Sequence, residues 1–103
     1  MIIKLLDNLW IGDSDAESEA NVDIILNVAN DLIPTRECVH IGLIDGPGND
    51  PALYSSVLFA LHALLKQYNV LVCCHTCSRS LAICIMYMTV ITDQSWDNIL
   101  AIL

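Results

Sequence analysis

The segment that constrains the architecture most is NVLVCCHTCSRSLAICIMYM, residues 69–88. The apolar run at 70–72 is typical of a buried strand in a parallel sheet. A polar, cysteine-rich loop follows over residues 73–78, and a strongly apolar helix begins near Arg79. Because the loop amides and the first N–H groups of such a helix have no intrahelical partner, they form a site that can bind an anion.

Cys73 and Arg79 lie at the two ends of this loop, with five residues between them. The spacing allows the chain to surround a tetrahedral oxyanion, with the Cys73 thiolate below it and the Arg79 guanidinium on the far side. The same positive field is expected to lower the pKa of Cys73. The loop is therefore predicted to carry a cysteine nucleophile that works at neutral pH.

The run over residues 73–80 resembles the C-x5-R-(S/T) loop of the cysteine-dependent protein tyrosine phosphatases, and its flanks resemble the compact dual-specificity branch. Two residues depart from that pattern, because Val72 replaces a usual His and Thr76 replaces a usual Gly. Elsewhere, LWIG at 9–12 and ILNVA at 25–29 are similar to the opening hairpin and the next strand of the family. The resemblance covers nearly the whole chain, as a domain trimmed at its C-terminus.

The resemblance implies metal-independent hydrolysis of phosphomonoesters on protein tyrosine, and on serine or threonine if the cleft is shallow. Cys73 would attack phosphorus to form a cysteinyl-phosphate, while Asp45, which follows a predicted strand, would protonate the leaving oxygen. Ser80 would donate a hydrogen bond to the departing thiolate. No cofactor or metal is implied. The phosphate-binding residues would be Cys74, His75, Thr76, Cys77, Ser78 and Arg79.

The remaining patterns predict an α/β fold in a single domain, residues 1–103. A central, mostly parallel sheet of four to five strands, flanked by helices, is expected from the resemblance to the protein tyrosine phosphatases. An acidic segment at 14–20 is predicted to be a solvated surface helix. Asp50 is a reserve candidate for the acid or a helix cap. The other predicted strands span 2–6, 9–11, 23–29 and 38–44, and the other helices 52–67 and 96–103.

The amino-acid composition limits the binding partners and the cellular location that are expected for this protein. The chain is 55% hydrophobic, but no apolar run approaches the roughly 20 residues of a membrane helix. A soluble, cytoplasmic protein without a membrane partner is therefore expected. A net charge of −8 with only four Lys and Arg residues argues against nucleic acid. The expected partner is a phosphorylated protein or peptide, and the apolar composition leaves a homodimer open.

Five cysteines in a chain without a recognisable signal sequence are expected to be free thiols. Peroxide would oxidise a reactive Cys73 first, and Cys77 is then the predicted partner in a reversible disulfide.

Three alternatives stay open. Counted from Cys74, the loop resembles the shorter loop of single-domain rhodaneses, which implies a sulfurtransferase. A catalytically weak phosphate-binding relative is a second alternative. A third is metal binding by the loop side chains Cys73, Cys74, His75 and Cys77.

Overall fold

The computed structural model describes residues 1–33, 36–93, 95, 97, 98 and 101. Within these residues the elements follow one another as β1 (Ile2–Leu6), β2 (Leu9–Gly12), α1 (Ala16–Glu19), β3 (Ile24–Ala29), β4 (Val39–Leu43), α2 (Pro51–Leu65), β5 (Val70–Cys73), α3 (Ser78–Met86) and a π-helical turn (Tyr87–Ile91).

The strands form one sheet in the spatial order β1-β2-β5-β3-β4. β1 pairs antiparallel with β2 across a tight turn, whereas the remaining pairs are parallel. β5 lies in the middle of the sheet, and all four of its residues are buried. The predicted α/β fold with a central, mostly parallel sheet is therefore confirmed.

Successive side chains of β5 point to opposite faces of the sheet. Val70 and Val72 pack in the larger core, which includes residues of α2 and α3. Leu71 and Cys73 pack on the other face, against Ala16 of α1. The alternation continues past the strand, because Cys74 belongs to the larger core again. Two adjacent cysteines are thus directed to opposite sides of the sheet.

The acidic segment at 14–20 differs from the predicted solvated helix. Only one helical turn forms, and Glu17 is fully buried. The reason is close packing of α1 on β2, since a Cβ added at Gly12 would lie 2.3 Å from Cβ of Ala16. Neither carboxylate oxygen of Glu17 has a hydrogen-bond partner within the described residues.

Helix α2 begins where the sequence predicts. Asp50 is its N-cap and accepts a hydrogen bond from Ala52 N at 3.0 Å, which favours its capping role over that of a catalytic acid.

The helix predicted over 96–103 falls largely outside the described residues. Among the helices that are described, none has the length and apolarity needed to span a membrane.

Candidate functional site

The site lies at the carboxyl ends of the parallel strands, where α3 begins. Parallel strands end at the same edge of a sheet, so the loops after β3, β4 and β5 are brought together there. The side chain of His75, after β5, contacts the backbone oxygen of Asp31, after β3, at 3.0 Å. Ser78 Oγ donates to Asp45 Oδ1, after β4, at 3.3 Å. Three segments that are distant in sequence thereby surround the N-terminus of α3.

Cys74 places its sulfur at this helix N-terminus. The backbone N–H of Ser80 donates to Cys74 Sγ at 3.4 Å, and Ser80 Oγ lies 3.4 Å from the same sulfur. The hydroxyl group of Ser80 donates in turn to the carbonyl oxygen of Cys77 at 3.1 Å. The first turn of α3 thus directs a backbone donor at the Cys74 sulfur. The expected contact between Ser80 and a loop cysteine is present, but the cysteine is Cys74.

Cys73 does not lie where its predicted role requires. Its side chain packs on the opposite face of the sheet, beside Ala16, Ile25 and Leu71. Burial, with a further contribution from the nearby Glu17 carboxylate, raises the pKa of Cys73 to about 12. The expectation of a lowered pKa is therefore wrong, because strand alternation directs this thiol away from the helix N-terminus. The Cys73 thiol is protonated at neutral pH.

Arg79 is held rigidly beside the loop, with only 7% of its surface exposed. One terminal nitrogen, Nη1, donates to Leu43 O at 2.8 Å and to Asn30 Oδ1 at 3.2 Å, and it lies 3.0 Å from Asp31 Oδ1. The Nε–H group is buried and has no partner within the described residues. A buried unpaired donor costs about 1–3 kcal/mol, which an oxygen of a bound anion would offset. Arg79 therefore keeps a donor for a ligand.

Asn30 and Asp31 are site residues that the sequence reasoning missed. Their loop is shaped by Asn27, a fully buried amide in β3 whose Oδ1 accepts from Ala29 N at 2.9 Å and whose Nδ2 donates to Leu32 O at 3.2 Å. The pairing of β3 with β4 shifts register at this point. A polar residue in an otherwise apolar strand was the available signal, because buried amides need partners.

The pKa of Asp31 depends on the neighbouring Arg79. Desolvation raises the pKa of this carboxyl, but the hydrogen bond and the charge of Arg79 outweigh it, and the pKa of Asp31 is held below its ordinary value. The carboxylate is thus charged at neutral pH and pairs with the arginine that the resemblance assigns to phosphate.

The loop that carries Asp45 is closed by a side chain. Asn49 Oδ1 accepts from Ile44 N, and Asn49 Nδ2 donates to Ile44 O, both at 2.8 Å. Gly46 and Gly48 have φ values of 116° and 108°, a region that other residues rarely adopt. The two glycines thus allow a turn that Asn49 bridges.

Asp45 itself is exposed and lies at the rim of a small cavity. The cavity measures about 190 Å³ and extends from Asp45 past Tyr54 to Ser78 and Arg79. The predicted acid, the predicted arginine and the start of α3 therefore share one open space.

The other predicted loop residues have separate surroundings. Thr76 is exposed, and its hydroxyl lies 3.4 Å from Ser78 Oγ. Cys77 is buried with a left-handed φ of 70°.

The cysteines are free thiols, and the Cys73–Cys77 disulfide stays a prediction. Within the described residues, no three His, Cys, Asp or Glu side chains are arranged to hold a metal ion.

Comparison with known proteins identifies the fold. No protein-family model matches the sequence, and a comparison with curated proteins gives no match. Among solved structures, a single-substitution variant of human DUSP28 has a TM-score of 0.78 and 20% identity, over 98% of this chain and 81% of that chain. A mouse protein described as a dual specificity phosphatase, in complex with zinc tungstate, has a TM-score of 0.79 and 21% identity, over 98% and 72%. The chain therefore has the fold of the compact dual-specificity phosphatases, as the resemblance of its loop implied.

Proposed function

We propose that this protein hydrolyses phosphomonoesters of phosphorylated proteins or peptides with the loop that joins β5 to α3. The observation that carries the proposal is the position of Cys74 Sγ, which contacts both the N–H and the hydroxyl group of Ser80 at a helix N-terminus. Arg79 lies in the first turn of α3, and its buried Nε–H has no partner among the residues that the structure describes. A nucleophile, an N–H group that donates to it and an oxyanion donor thus belong to one loop and the first turn of the helix that follows it.

Cys74, rather than Cys73, is the nucleophile in this proposal. The Cys74 thiolate attacks phosphorus, and the new sulfur–phosphorus bond forms as the bond to the leaving oxygen breaks. Asp45 transfers its proton to that oxygen. Water then attacks the cysteinyl-phosphate and gives a proton back to Asp45, which releases inorganic phosphate and the thiolate. The backbone N–H of Ser80 donates to the sulfur as its negative charge returns. The Ser80 hydroxyl group, which donates to Cys77 O in this structure, would have to turn to donate to the sulfur as well.

The positive charge needed for this reaction comes from Arg79 and the backbone N–H groups of the loop. The proposal therefore needs no metal ion. Cys74 is fully buried in this structure, so residues 75–78 must shift to admit a phosphoryl group to its sulfur.

The test compares single cysteine variants in hydrolysis of p-nitrophenyl phosphate. Cys74→Ser should lower kcat/KM by at least about 10³-fold, as expected when a nucleophile is removed. Cys73→Ser and the matched control Cys38→Ser should keep most of the activity. Loss in Cys73→Ser with retention in Cys74→Ser would make Cys73 the nucleophile. Equal activity in all the variants would exclude a cysteine mechanism.

A sulfurtransferase is a second candidate, favoured by one observation. Only four residues lie between Cys74 and Arg79, as in the shorter rhodanese loop. Formation of thiocyanate from thiosulfate and cyanide, faster than hydrolysis of the aryl phosphate, would support this function instead. A protein that binds inorganic phosphate but performs neither reaction would be a catalytically weak phosphate-binding relative.

A further inference from the structure

The Asp31 carboxylate lies beside Arg79, the arginine that the proposed function assigns to phosphate. Asp31 Oδ1 lies 3.0 Å from Arg79 Nη1 and 3.5 Å from His75 Nε2. The Asp31 side chain is 57% exposed, whereas Arg79 is only 7% exposed. The aspartate therefore lies at the solvent rim and the arginine below it.

Asp31 is not needed to orient Arg79. The same Nη1 nitrogen also donates to Leu43 O in a buried bond of 2.8 Å and to Asn30 Oδ1 at 3.2 Å. Two neutral acceptors thus fix the guanidinium. The Nε–H, which has no partner in the described part of the chain, remains for a ligand. What Asp31 adds is a negative charge close to the place where phosphate oxygens would bind.

A second carboxylate lies at the rim of this site. Asp45 accepts a hydrogen bond from Ser78, next to Arg79. Asp31 and Asp45 are thus the carboxylates that lie near Arg79, in a chain of net charge −8.

We propose that Asp31 determines the specificity of this site: it weakens binding of the phosphate itself and selects phosphoesters flanked by basic side chains. The inference rests on the proposed function, because it assumes that Arg79 binds the phosphate. A Lys or Arg beside the phosphorylated residue would pair with the exposed Asp31 carboxylate and leave Arg79 to the phosphate. An acidic neighbour would be repelled by the same carboxylate.

The first experiment measures the affinity for inorganic phosphate by isothermal titration calorimetry. Asp31→Asn removes the charge and keeps the shape, and it should lower Kd about 3- to 10-fold, the effect of one charge a few ångströms away near a solvated surface. The gain should shrink at about 1 M salt, because the carboxylate is exposed. Asp7→Asn is the matched control, with the same change in net charge in the β1–β2 turn at the other end of the sheet.

An unchanged or weaker affinity in Asp31→Asn would overturn the proposal, since Asp31 would then be neutral or would position Arg79. Asp31→Ser provides a second neutral variant if Asp31→Asn does not fold. Absence of phosphate binding in every variant would also overturn it.

The second experiment measures kcat/KM for two phosphotyrosine peptides of equal length, one with Lys and one with Glu flanks. Wild type and Asp7→Asn should prefer the basic peptide by a similar ratio, and Asp31→Asn should reduce that ratio several-fold. An unchanged ratio would overturn the selection by Asp31.

If the predicted change in phosphate affinity occurs without any hydrolysis, the proposed reaction fails while the weakening of phosphate binding by Asp31 is supported. If hydrolysis occurs but neither the affinity nor the ratio changes, only the proposal for Asp31 fails.

Discussion

At the scale of single residues, the adjacent thiols of Cys73 and Cys74 have opposite environments. Cys74 contacts the N–H and hydroxyl groups of Ser80. Cys73 lies on the other face of the sheet, where burial and Glu17 raise its pKa to about 12. Reactivity of a cysteine follows its thiolate fraction and its accessibility. Both thiols are fully buried, but only that of Cys74 lies at the N-terminus of α3.

We expect Cys73 to resist alkylation in the folded protein. With a pKa of about 12, only roughly one thiol in 10⁴ is ionised at pH 8, and the thiolate is the reactive form. Iodoacetamide labelling at that pH, read by fragmentation mass spectrometry, should leave Cys73 unmodified long after Cys38, which is half-buried, has reacted. Labelling in urea should make the two rates similar. Rapid labelling of Cys73 in the native protein would contradict the assigned environment.

At the scale of elements, the site depends on how the loop after β4 is braced. The loop after β4 is closed by the paired hydrogen bonds of Asn49 with Ile44, and Asn49 Nδ2 also lies 3.2 Å from the hydroxyl group of Tyr54 in α2. These bonds fix the backbone just before Asp45. An amide that binds backbone groups in this way holds the loop that carries Asp45, the proposed acid.

Asn49→Ala should therefore loosen the Asp45 loop. Two short hydrogen bonds are lost, so the free energy of unfolding should fall by about 1–2 kcal/mol. For a slow-leaving aryl phosphate, kcat should fall, but less than the roughly 10²–10³-fold loss expected for Asp45→Asn, because the acid is displaced rather than removed.

Urea unfolding and steady-state kinetics test both expectations, with Asn21→Ala as an exposed control of the same type. If Asn49→Ala is as active and as stable as Asn21→Ala, then Asn49 does not brace the loop. If the loss in Asp45→Asn is the same for good and poor leaving groups, Asp45 is not the acid.

At the scale of the whole molecule, the sheet and its two covering layers bury thiols that an unfolded chain would expose. Cys73 and Cys84 are both fully buried, and burial raises the pKa of each thiol above its ordinary value. In the unfolded chain, by contrast, a cysteine ionises near pH 8.5. The folded state therefore retains protons that the unfolded state loses in mildly alkaline solution.

Stability should decline as the pH rises above about 8.5, the unfolded-state value, toward about 12, the value for Cys73 in the fold. The sign follows from linkage: where the folded state holds more protons, raising the pH favours unfolding. Urea denaturation at pH 7 and pH 10 measures the decline. Cys73→Ala removes one of the groups, so its loss of stability between the two pH values should be smaller than that of wild type. Equal losses would show that Cys73 does not contribute.

The sequence by itself determined the α/β fold and the placement of the loop. The apolar strand, the cysteine-rich loop and the apolar helix at 69–88 specify a strand–loop–helix unit by local pattern alone. Asp45 and Arg79 could also be placed near each other, because loops after parallel strands meet at one edge. Even the alternation that separates Cys73 from Cys74 follows from strand periodicity, although the spacing of the loop pointed to Cys73.

Only the tertiary structure decided which groups surround the side chains of the site, because those neighbours come from distant parts of the chain. The partners of Arg79 are Leu43, Asn30 and Asp31, which come from other loops, so no local pattern could assign them. Likewise, the burial of Glu17 depends on the contact between Gly12 and Ala16. The pKa of Cys73 depends in turn on what covers that face of the sheet. Periodicity fixes which way a side chain points, but its charge environment is a sum over neighbours that only the folded chain brings together.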